Sequence, residues 1–140
     1  MSNSPSMTAA HTLPVHRSRL ALVALWGVQV VLAGMFLLAG GSKLGGAAAM
    51  VALFDAIGVG QWFRYVTGGI EVVSAVGLLV PSLAAFGAVA LVPTMIGAIA
   101  THLFIIGGSP AVPVLLLVGS LVIAWARRDQ LSRVVSRVSL

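Results

Sequence analysis

Apolar residues run along the chain in long blocks, separated by short glycine-rich or polar breaks. A helix needs roughly 20 apolar residues to cross the hydrocarbon of a bilayer. Four blocks approach or reach that length, at about 20–42, 62–80, 83–106 and 111–126. The second is interrupted by Arg64 and Glu71, and the fourth is short. Only "PS" at Pro81–Ser82 separates the second from the third, and "GGSP" at Gly107–Pro110 the third from the fourth. Successive helices must therefore be antiparallel neighbours. The expected fold is all-α, an integral membrane up-and-down four-helix bundle over residues 20–128.

Two flanking segments carry a helical period without the length to span. Within 47–58, "AAAMVALFDAIG" puts Met50, Leu53, Phe54 and Ile57 on one face with Asp55 off it, which predicts a short helix lying on the outer surface. In 129–140, Leu131, Val134, Val135 and Val138 share a face while Arg133 and Arg137 lie off it, a basic amphipathic tail suited to an anionic leaflet. Residues 1–19 are polar and aperiodic, contain two prolines and are expected to be disordered; His11 and His16 in them have no ligand-like partners.

Composition strengthens the membrane expectation: 59% of residues are apolar, 8% are charged, and the mean hydropathy is +1.10. There is no cysteine, which excludes a disulfide, thiol exchange or a thiolate ligand. A net charge of +5 would point to nucleic acid in a soluble chain, but here the basic residues flank apolar blocks. Arg17, Arg19, Arg127, Arg128, Arg133 and Arg137 stand at ends that an even number of crossings puts on one side, against Lys43 and Arg64 on the other. The positive-inside rule then places both termini in the cytoplasm, with lipid and not nucleic acid as the surrounding partner. The first block exceeds the roughly 7–15 apolar residues of a signal core and is expected to be retained. Trp62, Tyr65 and Trp125 fit interfacial aromatic belts.

Small residues should mark helix seams, because lipid leaves close backbone approach as a main source of association. Gly27, Gly34 and Gly41 recur every seven residues in the first block, Gly68 lies in the second, and Gly87 and Gly97 accompany Thr94 and Thr101 in the third. All six glycines are expected at packing faces. Pro93 predicts a kink, and Gln29 an interhelical hydrogen bond.

Depth follows from a rise of about 1.5 Å per residue. It brings Lys43 at the end of the first span, Arg64 and Glu71 in the second, and His102 in the third to the outer half. A carboxylate in hydrocarbon needs a partner, so Lys43, Arg64, Glu71 and His102 form a candidate polar cluster. It would serve either as a structural clasp or as a small outward pocket that binds a headgroup or relays a proton. No paired carboxylates, metal-ligand set, nucleophile with a base or phosphate loop is present, so neither a metal site nor catalysis by the chain alone is expected.

Lys43 after "GGS", the G-x-x-E of Gly68 to Glu71, the "LLVP" closing the second block and "A-x-x-T-H-L" in the third resemble the DoxX-like family of small bacterial four-helix membrane proteins. The resemblance covers about Leu20 to Arg128. The family takes its name from a subunit of a quinol oxidase and thiosulfate–quinone oxidoreductase system, and its members look like accessory partners of redox or oxidative-stress proteins. Some related redox proteins carry cysteine pairs, which this chain lacks, and haem would find only His102 inside the spans. The resemblance therefore implies an accessory subunit of a membrane redox system, with a quinone between helices near Glu71 and His102. A lipid or small-molecule carrier and a non-catalytic scaffold are the alternatives.

Overall fold

The computed structural model describes residues 19–138, with side-chain environments as far as Arg133. The expected disorder of the N-terminal tail, His11, His16, Arg17, and the side chains of Val134, Val135, Arg137 and Val138 lie outside the described residues. The described residues form six α-helices: α1 Arg19–Leu44, α2 Ala48–Ile57, α3 Gln61–Leu79, α4 Ala84–Thr101, α5 Ala111–Ala126 and α6 Arg128–Val138. A π-helical turn, His102–Ile106, extends α4. No strand occurs among the described residues. Two helices, α1 and α4 with its π turn, are long and apolar enough to cross a membrane, whereas α5, at 16 residues, is shorter.

Glycine and proline set the breaks. Gly46 (φ 69°) turns the chain in the middle of the α1–α2 link, and Gly58 (φ 78°) closes α2 in a left-handed C-cap, its N–H bonding the carbonyls of Phe54 and Asp55. Pro81 follows the end of α3, and Pro113 sits in the first turn of α5, where its missing N–H costs nothing.

Each helix buries one stripe. On α1 it is Gln29, Leu32, Ala33, Phe36 and Gly40; on α3 it is Arg64, Gly68, Glu71, Ser74, Ala75, Gly77 and Leu78. The α4 stripe is mostly alanine with Leu91 and Met95, and α5 contributes Pro113, Leu116, Ser120 and Ile123. Around a small apolar core, α1 packs on α3, α3 on α4 and α4 on α5, while α1 and α5 touch more lightly. Contacts pair Gln29 with Leu78 and Lys43 with Glu71, so α1 and α3 are antiparallel. The outward stripes are apolar as well: Leu38, Val73, Phe104 and Leu115 are at least two-thirds exposed. Large apolar side chains are more numerous outside than inside among the described residues.

The glycine expectation is corrected at four positions. A Cβ at Gly27, Gly34, Gly41 or Gly97 would meet nothing within 4 Å, and all four residues are exposed. The seven-residue period of Gly27, Gly34 and Gly41 is real, but it runs along the wrong face, because the buried stripe starts at Gln29 and reaches Gly40. Close approach occurs instead at two crossings. Where α1 meets α3, a Cβ on Gly40 would lie 2.8 Å from the Gly68 carbonyl oxygen, and one on Gly68 would lie 3.1 Å from the Gly40 oxygen. Where α3 meets α4, a Cβ on Gly87 would lie 2.6 Å from the Ser74 oxygen, with Gly77 opposite. Gly68 and Gly87 thus hold the packing role expected of them.

Gly40→Ala and Gly87→Ala should each lower unfolding free energy by about 1–3 kcal/mol, since backbone has to move. Alanine at Gly27, Gly34, Gly41 or Gly97 should cost nothing, and can stabilise by up to about 1 kcal/mol through helix propensity. Thermal unfolding of the purified variants checks both halves of this contrast.

Candidate functional site

The crossing of α1 and α3 carries the charge. Three residues beyond Gly40 stands Lys43, and three beyond Gly68 stands Glu71, so "GGSK" and "GGIE" face one another on antiparallel helices. The bare glycines bring the backbones close enough for Lys43 Nζ to donate to Glu71 Oε2 at 2.7 Å. The carboxylate side chain is 2% exposed and the lysine 14%. Coulomb attraction between such charges strengthens as water is removed, but so does the cost of desolvating them. Removing one partner therefore hurts far more than replacing both with apolar residues.

Arg64 lies in the same region but meets the main chain of Lys43 and not the Glu71 carboxylate. Its guanidinium donates through Nη1 to the Lys43 main-chain carbonyl and through Nε to Gln61 Oε1 at 2.7 Å, and it stacks on the Tyr65 ring with 4.3 Å to the centroid. It makes no ion pair with Glu71. The guanidinium caps the C-terminal end of α1, where the last carbonyls lack helical partners and the dipole favours a cation. Gln61 in turn donates to Asp55 Oδ1 at 2.7 Å and to the Val51 carbonyl, tying α2 into the same network. Sequence reasoning missed Gln61 and Asp55; the available signal was their spacing, with Gln61 one helical turn before Arg64.

His102 is not joined to this cluster. Its Nδ1 bonds the Ala98 carbonyl of its own helix at 2.9 Å, and it has no hydrogen bond or ion pair to Lys43, Arg64 or Glu71. A carbonyl can only accept, so Nδ1 carries the proton. The π turn that begins at His102 packs against α2.

A second polar node closes the opposite end of the α1–α3 pair. Gln29, fully buried, donates to the Leu78 carbonyl at 2.7 Å and accepts from Arg127 Nη2 at 2.9 Å and Nε at 3.2 Å. Leu78 is at the C-terminal end of α3, just before Pro81 breaks the helix, so the amide caps α3 as Arg64 caps α1. Beyond it, Gln130 accepts from Ala85 N–H and donates to the Pro81 carbonyl, pinning α6 to the α3–α4 turn. The expected interhelical bond of Gln29 is present; Arg127 and Gln130, not foreseen at this node, are what complete it.

Between α3 and α4 lies an open apolar groove of about 420 Å³, lined by Tyr65, Val66, Gly69, Ile70, Val73, Ser74 and Ala90. None of the four cluster residues lines it. No group of three or more His, Asp or Glu suited to a metal occurs among the described residues. The arrangement can hold helices in register and present an apolar surface.

Residues 27–126 match the DoxX-like family, which is most of the chain and all four of its long helices in whole or large part. The chain belongs to the DoxX-like family. Among curated proteins and solved structures, none matches it. Family membership together with two long apolar helices suggests a membrane protein. The two residues expected beside a quinone head are engaged elsewhere in this DoxX-like chain: Glu71 by Lys43, and His102 by Ala98.

If the caps hold the helix ends, Gln29→Leu and Arg64→Met should each lower unfolding free energy by about 1–3 kcal/mol, because the first leaves the buried Leu78 carbonyl without its donor and the second leaves the Lys43 carbonyl with only the Gly46 N–H at 3.3 Å. His102→Ala should stay within about 0.5 kcal/mol of the parent. Chemical or thermal unfolding of the three variants separates the caps from the histidine.

Proposed function

We propose that this DoxX-like protein is an up-and-down four-helix bundle of the bacterial inner membrane, with both termini cytoplasmic, that works as a non-catalytic accessory subunit. The observation that carries this reading is the inverted polarity of the bundle. Gln29, Arg64, Glu71, Ser74 and Ser120 are buried, while large aliphatic side chains face outward on every long helix. A surface of that kind in water would aggregate, whereas in lipid it is the favoured arrangement. The basic residues support the orientation: Arg127, Arg128 and Arg133 lie beyond α5, against Lys43 and Arg64 at the other end. α3 has both its charges on the buried stripe and α5 is brief, so each crosses as a member of the bundle and not as an independent span.

The accessory role rests on how the buried polar groups are used. Glu71 is spent on Lys43, and the two helix caps consume Arg64 and Gln29, leaving the cluster to fix the register of α1 against α3. Function then lies in the outer surface, where a membrane redox protein of the kind associated with the family would dock. The α3–α4 groove is suited to an apolar chain, such as a lipid tail or the tail of a quinone, with no built polar site at its lining.

Because the chain has no cysteine, single cysteines report topology cleanly. Val59→Cys should react with a membrane-impermeant maleimide on intact spheroplasts, and Ser132→Cys only after permeabilisation; reaction of both from the same side would overturn the bundle. For the accessory role, Glu71→Gln should lower stability by about 3 kcal/mol, yet the folded fraction should pull down the same membrane proteins in mild detergent as the parent. Loss of partners from a folded Glu71→Gln protein would assign the carboxylate a direct part in function.

A further inference from the structure

A hydroxyl in an apolar helix ordinarily bonds a carbonyl one turn back on its own helix. Ser42, Thr67, Thr94, Thr101 and Ser120 all do so, each donating to a carbonyl three or four residues earlier. Ser74 does not. It is 5% exposed, yet its hydroxyl forms no hydrogen bond among the described residues. No fully enclosed side-chain nitrogen or oxygen among those residues lacks a partner, so this hydroxyl keeps a little of its surface open, and the α3–α4 groove is the opening that Ser74 lines. The space of about 420 Å³ exists because Gly69 and Ala90 are small where their neighbours Ile70 and Val73 are not. One hydroxyl does not make this lining polar, but it selects among the apolar molecules that fit there.

We infer that the groove seats one acyl chain of an ester-linked lipid, with Ser74 Oγ donating to the ester carbonyl and the hydrocarbon running toward Tyr65. Ser74 is the last α3 residue of the lining and Tyr65 the first, about 13 Å apart along the axis. The donor therefore stands at one end of an apolar track. Leu78, one turn and about 6 Å beyond Ser74, belongs to the polar node of Gln29 and Arg127. In the membrane reading, on which this inference rests, that node marks the cytoplasmic end. A carbonyl at Ser74 then lies just inside the boundary where a lipid's headgroup region gives way to its chains. An unpaired hydroxyl in apolar surroundings is costly, and a bare hydrocarbon leaves it unpaired; a carbonyl, which can only accept, satisfies it.

The full-length protein is placed in nanodiscs that hold dipalmitoyl phosphatidylcholine and its dihexadecyl ether analogue in equal amounts, and native mass spectrometry reads which lipid stays bound. The ether lacks only the carbonyl oxygens. The parent should retain the ester lipid over the ether by about three- to tenfold, the ratio that one hydrogen bond supports. Ser74→Ala should remove that preference and leave the unfolding temperature in detergent unchanged, since the fold loses no bond. Gly69→Leu fills the groove from a position where a Cβ meets nothing within 4 Å, and should lower retention of both lipids. Equal retention by the parent, a preference that survives Ser74→Ala, or a lowered unfolding temperature in Ser74→Ala would overturn the site while leaving the membrane reading intact. A chain that does not enter nanodiscs would overturn that reading, and the site with it.

Discussion

The one buried carboxylate and both interhelical caps depend on how closely α1 and α3 approach. Gly40 and Gly68 let the two backbones meet, and one helical turn further on each helix places a charge against its opposite, Lys43 on Glu71 at 2.7 Å. Larger residues at the glycines would separate the helices and strand a carboxylate that is 2% exposed. The contact and the ion pair are therefore one device. Van der Waals contact at the glycine crossing holds the two backbones together, and the charge pair fixes their register.

The same helix pair settles its own ends. Helix termini leave carbonyls without partners, a fault that costs more as water becomes scarce. Arg64 of α3 donates to Lys43 on α1, and Gln29 of α1 donates to Leu78 on α3. Each helix thus caps the other, an arrangement open only to antiparallel neighbours. Gln130 extends the logic to the α3–α4 turn, and Arg127 brings α5 to Gln29. Side chains that look misplaced in apolar stretches turn out to be the satisfied interior of a bundle whose exterior is apolar.

Much of the helical layout was legible because the breaks are written in glycine and proline, and because Pro81–Ser82 and Gly107–Pro110 are too short to allow anything but adjacent helices. That Glu71 pairs with a nearby cation was legible too, since a lone carboxylate in an apolar block must find one. The choice between Lys43 and Arg64 was not, because it turns on which face each presents to the α1 terminus. Gly27, Gly34 and Gly41 misled for a related reason: a seven-residue period identifies a face but not what covers it. Gly40, one residue away from that stripe, packs against α3. His102 misled differently, since depth along a helix places a residue at one end of the bundle and leaves its direction around the axis open. The role of Gln130 depends on how α6 folds back, which nothing local in the sequence encodes.

In the proposed reading of this DoxX-like chain, the polar interior serves architecture and the apolar exterior is what a membrane partner would meet. The most direct test is a double-mutant cycle on Lys43→Met and Glu71→Leu, with unfolding free energies measured in one detergent. A structural clasp predicts that each single change is costly, that the double variant returns close to the parent, and that the coupling reaches about 2 kcal/mol or more. Single effects that simply add, with coupling within about 0.5 kcal/mol, would show that Lys43 and Glu71 do not hold α1 to α3.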